Sequence, residues 1–396
     1  MNTKKFALLG VILLYFVICL EILIMISPFA GFFYAAFNPV LLQLADRDAT
    51  RWLTAFFLPH MAIPTTGLLI GLRVLGSWLF IGGLAIFSIC ALQIYAAKFR
   101  RRGAVAGGLY RFIRHPQYLG LALAGIGLAI LWPRFLVVAL WCLMVLIYYY
   151  LARDEEKRML QAHGETYRPY MERTGMFLPQ SLERVLQFKG SITPLLLWLI
   201  VCILAIGGAF SLRSYTIHHL VMRQDENVDA LALLPEDGFK LDHRLADLLA
   251  LPEIASRLQP DARYLAYFLP RDYIMQGMIA DTGGEWQLYK QHHTIAMISD
   301  WIFHPFRHLR EGHHAMSHGQ HGTSALTPSD SGLVRRMIFL RLEPASTDND
   351  PAASLDIYRD RIPVFTADVD VHEVQLLEVR DLPESTGWGH VPTPTF

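Results

Sequence analysis

Runs of about twenty apolar residues decide what this chain can fold into, because a helix of that length crosses the roughly 30 Å hydrocarbon core of a bilayer. Phe6–Ser27 is one such run, broken only by Glu21. Gly76–Ala97 is a second, uncharged and closed by Lys98, Arg100, Arg101 and Arg102. Pro116–Ala152 is too long for one crossing, and Pro133 with Arg134 divides it into the two arms of a tight hairpin. Ser191–Leu212 is the last. The expected fold is an all-α polytopic membrane domain over residues 1–212, with about five transmembrane helices near 6–27, 76–97, 116–132, 135–152 and 191–212. Phe6–Ser27 has no small-residue cleavage site, which favours an uncleaved span over a signal peptide. Glu21 costs roughly 2.5–3.5 kcal/mol inside a bilayer, so it is a functional candidate. A protonated carboxyl or a polar neighbour near the outer end accounts for it equally well.

Charge then orients the chain. Through Leu212 there are 19 basic and 9 acidic residues, and from Arg213 onward 16 and 26. Two segments in different surroundings explain that split, and no nucleic-acid partner is indicated. Lys4 and Lys5, the Lys98 to Arg114 segment, and Arg153 to Lys189 fall on one side if there are five spans. Basic loops mark the cytoplasmic side. The expected localisation is a multi-pass cell-membrane protein with a cytoplasmic N-terminus and an extracytoplasmic C-terminal domain. Leu53–Leu72 is apolar but carries Pro59, His60 and Pro64, and reads as an interfacial or re-entrant piece leading into a long second helix. His60 is taken as part of that piece.

Residues 213–396 read as one extramembrane α+β domain of unknown role. Asp225–Leu258 has helical spacing with turn punctuation at Pro235 to Gly238. Tyr264–Leu269, Tyr273–Ala280, Met337–Leu342 and Val371–Val379 have the β-branched and aromatic content of strands. The four cysteines, Cys19, Cys90, Cys142 and Cys202, all lie in apolar runs, which excludes a disulfide framework or a thiolate cluster.

The chemistry is concentrated between Gly108 and Pro179. The stretch Gly108-Leu-Tyr-Arg-Phe-Ile-Arg114-His115-Pro116-Gln-Tyr118 leads into the hairpin. Arg153-Asp-Glu155-Glu156 leaves it, followed by Gly164-Glu-Thr-Tyr167-Arg-Pro-Tyr170 and then Phe177-Leu-Pro179. Pro116 suits the first turn of a helix, which places Arg114 and His115 at the membrane surface. An antiparallel hairpin must return Glu155 and Glu156 to the same place. One arginine, one histidine, two carboxylates and tyrosines can hold a zwitterion: carboxylates accept from an ammonium or hydroxyls, and Arg114 or His115 binds a carboxylate. Singly, each residue is explained by ordinary interfacial anchoring, and Tyr148-Tyr149-Tyr150 reads as an aromatic belt. The ordered set is not explained that way.

Arg-His-Pro-x-Tyr, a hairpin, a Glu-Glu pair, Gly-x-x-Tyr-x-x-Tyr and a closing Leu-Pro resemble the isoprenylcysteine carboxyl methyltransferase family and the related phospholipid N-methyltransferases. The resemblance covers roughly residues 66–180. It implies a membrane methyltransferase that uses S-adenosylmethionine, acting on a lipid-like or small membrane-accessible acceptor. It carries cofactor roles onto Arg114, His115, Pro116, Tyr118, Glu155 and Glu156, and matches Tyr167 and Tyr170 to the aromatic positions that close the pocket. Arg114 is the candidate for steering an acceptor carboxylate, and Glu155 or Glu156 for taking a proton from an amine. One departure is Gly108-Leu109-Tyr110, where the family pattern has Gly-Pro-Tyr. Gly125 and Gly127 lie in an apolar run and read as packing positions, not as a nucleotide-binding loop.

Eight of the 16 histidines lie between His292 and His321. His304 with His308, and His314 with His318, are spaced to put two imidazoles on one helix face, so a divalent-metal site is a candidate. A polar, histidine-rich surface stretch explains them as well, and Gly312, Gly319 and Gly322 favour a loop in the second half. Two further readings stay open. One is an NADPH-dependent membrane reductase of related helical arrangement. The other is a non-catalytic anchor carrying a metal-binding or sensing domain. The Glu-Glu pair and the tyrosine motif favour the methyltransferase.

Overall fold

The structure is a computed structural model that describes residues 40–59, 61–100, 105, 107–164, 167–186, 193–273, 276, 279–280, 334–344 and 350–384. The expected span 6–27, Glu21, His60 and the candidate ligands His304, His308, His314 and His318 lie outside the described residues. The chain forms two compact units, Met1–Leu69 with Leu212–Phe396, and Ile70–Ser211.

A short helix, α1 (Asp48–Thr54), precedes the long α2 (Gly67–Phe99). A 3-10 turn, Gly108–Arg111, leads to α3 (Pro116–Leu131) and α4 (Phe135–His163). The short α5 (Arg168–Arg173) and α6 (Gln180–Leu186) follow, and then α7 (Thr193–Ile217). Three of these, α2, α4 and α7, are long and apolar enough to cross a membrane, while α3 has only 16 residues. Large apolar side chains such as Trp78 on α2 and Leu204 on α7 are exposed, as lipid-facing positions are.

Glycine brings α2 and α3 into backbone contact. A Cβ on Gly83 would lie 2.5 Å from the Gly120 carbonyl oxygen, and one on Gly127 would lie 2.6 Å from that of Gly76. Without a hydrophobic driving force between helices in lipid, such close approach is a main source of attraction. Gly125, two residues before Gly127, makes room for Trp141 on α4, where a Cβ would meet the indole at 2.6 Å. The α3–α4 turn falls at Pro133 and Arg134, as the sequence leads one to expect.

The other unit is built on a six-stranded sheet: β1 (Met222–Asp225), β2 (Val228–Ala232), β3 (Tyr264–Pro270), β4 (Val334–Glu343), β5 (Asp360–Asp370) and β6 (Gln375–Asp381), in that spatial order. Among the described strands only β2 and β3 pair in parallel, joined through α8 (Asp237–Leu249) and α9 (Pro252–Ala255). Leu241, Leu245, Leu248 and Leu249 make the buried stripe of α8 against Ala230, Phe268, Phe339 and Phe365. Buried carboxylates are paired: Arg263 donates both Nε and Nη2 to Asp229, each at 2.9 Å.

Three sequence expectations need correction here. The helical spacing from Asp225 gives way to β1 and β2, because all five residues of β2 are buried and hydrogen-bonded to strands on both sides. Such a strand reads as an apolar run with no period of its own. The described residues of 273–280 form turns, not a strand. Val371–Val379 is split: 371–374 is a turn with Val374 at φ 53°, and β6 begins at Gln375. The long β5 carries Pro363, which cannot donate to the ladder, and the register shifts beside it.

The apolar stretch before α2 belongs to the sheet unit. Phe56, Phe57, Leu58 and Met61 are buried, the Ile63 amide donates to Leu233 O at 2.9 Å, and Tyr273 Oη donates to Met61 O at 3.1 Å. Arg213 joins Phe56 to the 3-10 turn Pro351–Leu355, donating to the carbonyls of Phe56 and Leu355.

Candidate active site

Pro116 occupies the first turn of α3, so the amides of the two preceding residues are available for other partners. They find them in the chain beyond α5. The Arg114 amide donates to Gly175 O at 2.8 Å and the His115 amide to Met176 O at 3.0 Å, beside a parallel bridge between Ile113 and Gly175. Residues 174–178 thus lie as a strap along the entry to α3.

The α3–α4 hairpin brings the carboxylates back. Glu155 and Glu156 sit on α4 beyond its apolar part. Tyr118 Oη donates to Glu155 Oε1 at 2.5 Å, and Arg114 Nε donates to Glu156 Oε1 at 2.5 Å. Both side chains of the second pair are 9% exposed, whereas that of Glu155 is 40% exposed. The two acids therefore do different things. Glu156 neutralises a buried guanidinium, and Glu155 presents a carboxylate to solvent. Arg114 Nη1 is also committed, donating to Met171 O at 2.9 Å and to Thr174 O.

His115 is 4% exposed and lies between the two acids. Its Nδ1 is 3.4 Å from Glu155 Oε2 and its Nε2 3.5 Å from Glu156 Oε1. Both contacts are long, and neither nitrogen completes a well-aligned hydrogen bond. Burial works against a charged imidazole, but the two facing carboxylates outweigh it and the His115 pKa is raised. Stability from this proton is fully present below the ordinary histidine value and is lost as pH rises through the raised folded value. The thermal midpoint of the wild type, measured against His115→Gln, is expected to fall as pH rises above the ordinary histidine range. A difference that does not change with pH would contradict the assignment.

Aromatic rings wall the site. Tyr118 stacks on Tyr148 at 5.0 Å and on His115 at 5.7 Å, and Phe177 from the strap tilts against His115 at 6.1 Å. Tyr167 is buried, and burial pushes its phenol up to about 12, so it stays a donor at neutral pH. Its ring lies 5.5 Å from that of Tyr170, whose hydroxyl donates to Tyr110 O at 2.7 Å and so ties α5 to the 3-10 turn ahead of α3. Gly108 opens that turn at φ 61°, where a side chain would be strained.

Arg114 and His115 ahead of α3, Tyr118 on it, and Glu155 and Glu156 on α4 meet in one place, with Pro116 opening α3. Tyr148, read from sequence as part of an aromatic belt, is 3% exposed and stacks in the site, while Tyr150 is exposed. The sequence motif does not reach Thr174, whose backbone carbonyl takes the Arg114 guanidinium, or Gly175 and Glu183, whose partners are backbone groups of the strap. Among the described residues no group of three or more His, Cys, Asp or Glu side chains is placed to hold a metal.

Residues 66–166 match the phospholipid methyltransferase family. No curated protein and no solved structure matches the chain. The phospholipid methyltransferase segment takes in α2, α3 and α4, hence every contact between Arg114, His115, Tyr118 and the two acids. It ends just before Tyr167, so α5, the strap and α6 lie beyond it, as does the whole sheet. Over residues 66–166 the chain is thus phospholipid methyltransferase-like, and the apolar helices α2, α4 and α7 support membrane association.

Proposed function

We propose that the protein is an integral-membrane methyltransferase that uses S-adenosylmethionine, bound at the cytoplasmic face, and acts on a lipid-like or small acceptor reached from the bilayer. The observation that carries this reading is the return of Glu155 and Glu156 to Arg114, His115 and Tyr118 across the hairpin, inside the segment that matches the family. The orientation rests on five spans, which put the basic segments beside the site on the cytoplasmic side and the C-terminal domain outside.

The residues fit the cofactor. An imidazole with two incompletely bonded buried nitrogens, an accessible carboxylate and a set of aromatic faces suit a zwitterion with a sulfonium and a ribose. When bound, the cofactor supplies a methyl group on a positively charged sulfur. Glu155 accepts from ammonium or hydroxyl groups, and Tyr118 Oη holds its other oxygen in place. Arg114 acts from behind: with Nε and Nη1 committed to Glu156, Met171 and Thr174, it positions the acid and the strap instead of meeting an acceptor carboxylate. For an amine acceptor, Glu155 Oε2 is the place to leave a proton. Tyr167 and Tyr170 close the side toward α5. Alignment of acceptor and donor in such a site contributes about 7–11 kcal/mol to lowering the barrier.

Calorimetric titration of S-adenosylmethionine into the detergent-purified chain tests the proposal, with NADPH as a competitor. Saturable binding lost in His115→Ala and in the double variant Glu155→Gln/Glu156→Gln is the expected result. A folded protein that binds NADPH and not S-adenosylmethionine would overturn it.

A further inference from the structure

The strap from Thr174 to Leu178 has an anchor outside the contacts already described. Glu183, in the first turn of α6, turns its carboxylate back toward the strap. Its Oε1 accepts from the Phe177 amide at 2.8 Å and from the Leu178 amide at 3.2 Å. Successive amides converging on an oxyanion form a stable concavity, closed here by the chain's own acid. Gly175 lies against the same group. A Cβ there would sit 2.9 Å from the Glu183 carboxyl carbon and run into the Leu178 carbonyl, so only glycine lets the strap bend this tightly.

The other side of the strap faces the site. Met176 O receives the His115 amide, and the Phe177 ring packs against the His115 ring. A carboxylate that holds the amides on either side of the Phe177 α-carbon therefore controls where that ring lies.

We propose that Glu183 is a positioning residue for the cofactor site, acting through the backbone of Phe177 to keep that ring over His115. Its effect on cofactor binding rests on the methyltransferase reading. The placement of Phe177 rests on geometry alone. Glutamine at 183 keeps an oxygen that accepts from the same two amides, and alanine keeps none, so the two substitutions separate the hydrogen bonds from the charge.

The test uses the full chain in detergent as wild type, Glu183→Ala and Glu183→Gln. Carbethoxylation of His115 by diethyl pyrocarbonate is read by mass spectrometry, with exposed His163 as internal reference. S-adenosylmethionine affinity is read by calorimetry. Glu183→Ala is expected to raise His115 labelling relative to His163 about tenfold and to weaken cofactor binding about tenfold, the loss typical of hydrogen bonds to a charged group. Glu183→Gln should restore both to within about threefold. Unchanged His115 labelling in Glu183→Ala would overturn the proposal, and so would an equal rise at all histidines, which is what general loosening produces. A wild type that binds no S-adenosylmethionine would overturn the cofactor role along with the methyltransferase reading, while the labelling would still decide what holds Phe177.

Discussion

Replacing Glu156 by glutamine is expected to destabilise the protein by about 3–5 kcal/mol, because it leaves the Arg114 guanidinium buried without its counter-charge. Replacing Glu155 by glutamine should lower the thermal midpoint far less, through loss of one of the two carboxylates that favour a protonated His115. The 40% exposure of Glu155 keeps it hydrated, and Tyr118 can still donate to the amide oxygen. Cofactor binding should respond in the opposite sense at this position. Losing a charged acceptor costs about 1.5–3 kcal/mol, or tenfold to roughly a hundredfold in affinity for S-adenosylmethionine. Thermal unfolding and calorimetry of the two single variants separate the roles. Equal loss of stability in both would show that the acids are interchangeable and that the division of labour drawn from their burial is wrong.

The second large effect is expected far from the chemistry. Gly83→Ala and Gly127→Ala each place a methyl group against backbone of the facing helix, where no side chain can rotate away. Overpacking of this kind costs about 1–3 kcal/mol at each site. The helices must also separate, and α3 carries Pro116 and Tyr118 at its entry. A displacement of about 1 Å at a reacting centre can cost a hundredfold in rate. Methyl transfer from radiolabelled S-adenosylmethionine should therefore fall much further than the thermal midpoint suggests. Alanine at Gly82, which has open space around it, is the control that should change neither. If Gly83→Ala behaves like Gly82→Ala, the backbone contact between α2 and α3 does not set the geometry of the site.

The paired acids and the glycines also mark how far the order of residues reaches by itself. Long apolar runs carry helices by composition, because a buried backbone in lipid has almost no alternative to internal hydrogen bonding. Pro133 and Arg134 placed the hairpin, and the hairpin placed the two acids beside Arg114 and His115. These are local and topological constraints, and sequence states them directly. The sheet unit was less legible. Val228 to Ala232 carries one leucine and two alanines that suit a helix equally well, and only pairing with β1 and β3 makes it a strand. The apolar residues around Phe56 looked like membrane contacts because hydrophobicity does not say what covers it. Arg213, holding the carbonyls of Phe56 and Leu355, shows that protein covers it here.

Within the site the same boundary runs between residue type and partner. From sequence alone came the membrane-spanning character of the long helical runs, the hairpin, and the set of side chains with chemistry to offer. Tertiary structure decided which acid is buried and which is open, that Arg114 faces inward, and that a strap pinned by Glu183 lies against His115. The reason is physical. Periodicity and charge are written along the chain, but burial and hydrogen-bond partnership depend on what distant segments bring to the same point.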